Sequence, residues 1–106
     1  MTLSNPLRGE VVLRVEGRDR ILRLSLGALA ALESSLQADG LVALAERLER
    51  GGARADDVID ILTAGFLGAG ASLSREEVAA LRIDGGAAAA VGAAMALVAL
   101  AFGETS

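Results

Sequence analysis

The residues of this chain best placed to do chemistry are three carboxylates, Asp56, Asp57 and Asp60. Asp56 and Asp60 stand four apart, so a helix would put them on one face, where with Asp57 they could begin a divalent-cation site. Such a site takes roughly six to eight oxygens, and nothing nearby supplies the rest. Acids in the first turn of a helix are favoured by its dipole alone, and that reading accounts for all three. Gly65-x-x-Gly68-x-Gly70 has some of the spacing of a phosphate loop, but it follows a helix rather than a strand and lacks the lysine. A helix stop explains it better. Arg14, Arg18, Arg20 and Arg23 could line up phosphates, yet Glu10, Glu16 and Asp19 are interleaved with them, which describes a solvated mixed-charge surface. Glu76 and Glu77, the nearest approach to an acid–base pair, belong to a helix cap.

The absences are sharper. The chain has no cysteine and no histidine, which removes disulfides, thiol nucleophiles, the usual zinc ligands and the commonest general base. No catalytic residue, cofactor or metal is expected, and the chain reads as non-enzymatic. A net charge of −4 argues against nucleic acid as a partner. The missing cysteines fit a reducing compartment, so a cytoplasmic location is expected. Residues 1–8 show no basic stretch followed by an apolar one, and no secretory signal is expected.

What carries these residues is mostly helix. At 106 residues the chain has the length of one domain, and its apolar residues are dominated by Ala and Leu, which enter helices at little cost. The β formers cluster near the N-terminus. The expected class is mostly α with a small N-terminal β-hairpin (α+β), a compact domain of about four to five helices. Residues 1–8 are expected to be a flexible lead-in, 9–25 the hairpin, 26–102 the helical part and 103–106 a short tail.

The strands are expected at about 10–16 and 20–25, bent at Gly17-Arg18-Asp19. An even-numbered loop sets Leu13 opposite Leu24 and Val15 opposite Leu22, giving one apolar face. An odd one would mix the faces. The outer face then carries Val12, Arg14, Glu16, Ile21 and Arg23. Ser25 fits an N-cap for a helix whose stripe is Leu26, Leu29, Leu32 and Leu36, and that helix is the expected cover for the hairpin. Asp39-Gly40 ends it. Leu41, Leu44 and Leu48 make a second stripe, backed by Glu46, Arg47, Glu49 and Arg50, and Gly51-Gly52 stops it. A third helix opens at the aspartates and buries Val58, Ile61, Leu62, Gly65 and Phe66. Ser74 with Glu77 fits a capping box, and Leu73 with Val78 its hydrophobic staple.

Ala87 to Phe102 contains no charge. A membrane span needs about 20 strongly apolar residues. This run is shorter, is rich in Ala and Gly, and has no basic flank to orient it. A helix apolar on all sides is otherwise buried in a core or against a partner. So small a domain cannot easily enclose it, and a partner is expected.

Taken together, Gly9-Glu10, Gly17, Leu22-x-Leu24, Ala28-Leu29, Leu32-Glu33, Asp57-Val58, Ile61-Leu62, Gly65-Phe66, Gly68-x-Gly70 and Leu73-Ser74-x-Glu76-Glu77-Val78 resemble the pattern of small tail assembly proteins of gene transfer agents and related phages. Ala87–Phe102 departs from it in carrying less charge than the usual last helix. The resemblance implies a tail assembly chaperone that binds the tape measure protein and serves the tail tube protein; self-association into a homo-oligomer is expected as well. Two alternatives are a tail tube subunit retained in the particle and a small membrane-associated protein anchored by residues 87–102. The candidate partner-binding residues are Leu41, Leu44, Leu48, Phe66, Val91, Met95, Val98 and Phe102.

Overall fold

A type I′ turn starts the structure. Glu16 (φ +50°) and Gly17 (φ +79°) are both left-handed, the combination whose twist matches two antiparallel strands. They join β1 (Glu10–Val15) to β2 (Arg18–Arg23), so the bend lies at Glu16-Gly17 rather than at Gly17-Arg18-Asp19. The computed structural model describes residues 9–36, 40–52 and 54–102. The expected lead-in 1–8, the tail 103–106 and the stop at Asp39 lie outside them.

The loop is even-numbered, as expected, and the faces sort accordingly: Leu13, Val15 and Leu22 are buried. The expected pairs do not form. Val11 faces Leu22, Leu13 faces Arg20 and Val15 faces Arg18, because the two-residue turn falls at Glu16-Gly17, two positions earlier than those pairs require. Arg20 therefore falls on the apolar side, and its guanidinium sits 5.0 Å from the centre of the Phe66 ring, a cation–π contact. The far edge of β1 is also occupied. Glu16 N–H donates to the Arg82 carbonyl (3.0 Å) and Asp84 N–H to the Arg14 carbonyl (2.9 Å), making a short bridge between Val15 and Ile83.

Five helices follow: α1 (Leu26–Ser35), α2 (Gly40–Glu49), α3 (Ala55–Gly68), α4 (Arg75–Ala79) and α5 (Gly86–Ala101). Local chemistry starts them. The Ser25 hydroxyl accepts from Ala28 N–H at 3.1 Å. Ser74 and Glu77 form a complete capping box, with Glu77 N–H donating to the Ser74 hydroxyl (3.0 Å) and Ser74 N–H to the Glu77 carboxylate (2.8 Å). Glycine supplies the stop at Gly51 (φ +74°) and the bend after α3 at Gly70 (φ +95°).

The cover of the hairpin differs from expectation. Helix α3 lies on β2 and α5 on β1, while α1 packs against α3 and α2. The reason is Gly65 and Gly68. A Cβ at Gly65 would stand 2.9 Å from Leu97 Cδ1, and one at Gly68 only 1.8 Å from the Arg23 carbonyl oxygen. Those two positions let α3 approach the sheet more closely than any helix with side chains there. Packed on α3 instead of on the hairpin, α1 buries Ala28 and Leu32, and Leu26 is left 86 % exposed at its first turn. On α3, Val58, Ile61, Leu62, Gly65 and Phe66 are all buried, as the spacing requires. Helix α5 buries Ala90, Ala93, Ala94, Leu97 and Val98.

Three substitutions test this account by urea denaturation. Gly68→Ala should cost about 3 kcal/mol or more, since the obstruction is backbone. Gly92→Ala, where an added Cβ meets nothing within 4 Å, should instead gain up to about 1 kcal/mol from helix propensity. Glu16→Asn should gain roughly 0.5–1 kcal/mol by placing a residue that tolerates the left-handed region in the turn.

Candidate partner-binding groove

The three aspartates are consumed by arginines. Asp57 is buried, and both its oxygens accept from Arg47, at 3.1 Å from Nε and 3.0 Å from Nη2. It also accepts from Arg54 N–H at 3.1 Å. That is one half of a capping box; an arginine has no acceptor with which to complete the other. Burial by itself would raise the Asp57 carboxyl. The hydrogen bonds from Arg47 and Arg54, with the charges behind them, outweigh it and hold the group below its usual 3.8. Arg47 was expected on the charged back of α2; it turns inward because a bidentate partner is within reach. Asp60 and Asp56 both accept from Arg75, which pins α4 to α3 and raises the guanidinium above its ordinary value, chiefly through the hydrogen bond to Asp60. Among the described residues no group of three or more His, Cys, Asp or Glu could hold a metal ion.

Apolar chemistry is what gathers at one place. On α5, Met95, Val98, Ala99 and Phe102 follow helical spacing. Across from them on α2 stand Ala45, Leu48 and Glu49, and together these seven line a groove of about 170 Å³. Small-molecule pockets usually enclose about 300–1,000 Å³. This one suits a single large apolar side chain, the anchor of a protein partner. Beneath its end, Leu41 and Leu44 of α2 meet Val98 and Phe102.

Six of the eight candidate residues therefore converge here, from helices some 50 positions apart in sequence. Their exposure divides them. Met95 and Phe102 are each 44 % exposed, whereas Leu44, Leu48 and Val98 form the buried floor. Leu41 is half-buried. The other two lie elsewhere: Val91 is half-buried in the first half of α5, and Phe66 is buried beneath Arg20. Glu49 was expected on the charged back of α2 but lines the groove, and Ala45 and Ala99 were not singled out from the sequence. Ala45 sits four after Leu41 and Ala99 four after Met95, so their stripes already implied them.

The groove is bounded by a lightly held wall. Helix α2 packs chiefly against α1, and the Arg47–Asp57 pair ties it to α3. Asp57→Asn should remove that tie at a cost of about 2–3 kcal/mol at neutral pH. The same group makes stability fall with acid. Its lowered value means that the contribution is complete above the ordinary carboxyl value and drains away as pH drops toward the folded one, the unfolded chain taking the proton first. Denaturation midpoints followed from neutral pH to about pH 3 should show a shallower acid limb for the variant than for the parent.

No helix among the described residues is long and apolar enough to cross a membrane. Comparison with protein-family models matches residues 8–104 to a family described as phage tail tube protein, GTA-gp10. No curated protein and no solved structure gave a significant match. Since the family match spans all of the elements described above, the chain belongs to the phage tail tube protein, GTA-gp10 family.

Proposed function

We propose that the chain is a non-enzymatic tail assembly chaperone, which holds a helical segment of the tape measure protein in the α2–α5 groove and delivers it to the growing tail tube. The observation that carries this reading is the groove itself, with Met95 and Phe102 exposed beside a floor of Leu48 and Val98. An apolar helical groove is the usual receptor for the apolar stripe of an amphipathic helix. Methionine at its lip suits a client whose sequence varies along its length, because an unbranched thioether side chain adapts to many shapes.

A subunit built into a tube needs contacts around its ring and between rings, hence apolar surface on opposed faces. Among the described residues the exposed large apolar side chains are Leu26, Val42, Leu67, Met95 and Phe102. Met95 and Phe102 meet in the groove, and Val42 belongs to the helix that forms its other wall. Leu26 on α1 and Leu67 on α3 stand apart from it and from each other, and a single built groove suits a transient helper better than a permanent ring. The partners this implies are the tape measure protein and the tail tube protein, and the site of action is the cytoplasm.

Co-expression with the neighbouring tape measure protein tests it. Soluble tape measure protein should rise with the parent chain and fall about tenfold in co-purification with a Met95→Ala/Phe102→Ala double variant whose circular dichroism is unchanged. Mass spectrometry of purified particles supplies the second readout. Absence from mature tails is expected; stoichiometric presence would establish a retained subunit and overturn the chaperone reading.

A further inference from the structure

The charges around the groove are one-sided. Helix α5 contributes none, since no residue from 86 to 101 is charged. Among the described residues Glu49 on α2 is the one charged residue lining the groove. Glu46, one turn before it, is paired with Arg50 at 3.6 Å, and Glu49 makes no ion pair among the described residues. The groove thus has an apolar floor, a neutral wall and an acidic lip.

We infer that its occupant is an amphipathic helix with basic side chains along one flank of its apolar stripe, seated with that flank over Glu49. The inference rests on the groove being a partner site. An acid-flanked helix would bring like charges together at the lip. A second copy of this chain fits poorly. It would offer either the uncharged α5, or an α2 on which Arg50, the base beside the lip, is already engaged by Glu46. Because only one wall is charged, the basic flank also fixes which way round the occupant lies, so Glu49 selects orientation while Met95 and Phe102 supply affinity.

The probes are two synthetic amphipathic helical peptides with the same leucine stripe, one flanked by lysines and the other by glutamates, titrated against the full chain by fluorescence anisotropy. At low ionic strength the lysine peptide should bind about fivefold more tightly, the reach of one partly exposed pair. The gap should close near 1 M salt, where the screening length is about 3 Å. Glu49→Gln should narrow it and Glu49→Arg reverse it. Equal affinities at low salt, or a gap that Glu49→Gln leaves intact, overturn the inference. If both peptides bind equally and Met95→Ala/Phe102→Ala weakens both, the groove stands as a partner site and only its basic preference falls. If neither binds, or the double variant binds as the parent does, both readings fall.

Discussion

The arrangement depends on how closely α3 lies against β2. With hydrogen in place of a side chain at Gly68, the last turn of α3 rests on the Arg23 carbonyl, and at Gly65 the same helix admits Leu97 and Leu22 into contact with its backbone. A helix seated this way occupies the place over the hairpin that the next helix in sequence would otherwise take. Helix α1 is displaced from the hairpin onto α3, α5 is left to cover β1, and α2, following α1, packs chiefly against α1. The groove between α2 and α5 follows from that displacement. Its two walls are brought together by what lies beneath them rather than by an extensive interface of their own.

Ion pairs then secure the elements that apolar packing holds least. The first two turns of α3 carry three acids, and each is met by an arginine from elsewhere: Asp57 by Arg47 of α2, and Asp56 and Asp60 by Arg75 of α4. They do not weigh equally. Asp56 is largely exposed, and a pair of that kind contributes about 1 kcal/mol at most. Asp57 is buried, bidentate and bonded to a backbone N–H, so its loss breaks the tie to Arg47 and uncaps a helix end as well. One carboxylate thus caps α3 and ties the α2 wall of the groove to it.

Local features were legible in the sequence because their physics is local. The Ser25 cap, the Ser74/Glu77 box, the glycine stops and the Glu46–Arg50 pair depend on residues within a turn of one another. The faces of the hairpin were legible too, since parity alone sets them. Its register was not: nothing about a glutamate announces that Glu16 will adopt a left-handed conformation, and that choice slides every pair. The packing order was hidden for a related reason. Gly65 and Gly68 read equally well as a helix end or as a surface for close approach, and only the position of β2 decides between them. Stripes such as Leu41, Leu44 and Leu48, or Met95, Val98 and Phe102, identify contact faces without saying what they contact. Phe66 shows the limit. Its spacing placed it on the buried face of α3, while its aromatic ring suggested an anchor for a partner, and a single arginine from β2 now stacks upon it.

The uncharged α5 acquires a different meaning in this setting. Burial does not explain it, because Met95 and Phe102 remain exposed, and a soluble surface normally carries charge at such positions. Length rules out a span for this helix. Its inner side explains the alanines: Ala90, Ala93 and Ala94 let it settle against β1 and α3. Its outer side calls for another reason, and the proposed partner-binding wall supplies one. A charge on that wall would have to be desolvated whenever an apolar stripe was seated against it, with no fixed partner to compensate the cost. Confining the acid to α2 avoids this penalty on α5 while keeping one polar lip to orient what binds. The absence of charge on α5 and the presence of Glu49 opposite are two halves of one requirement.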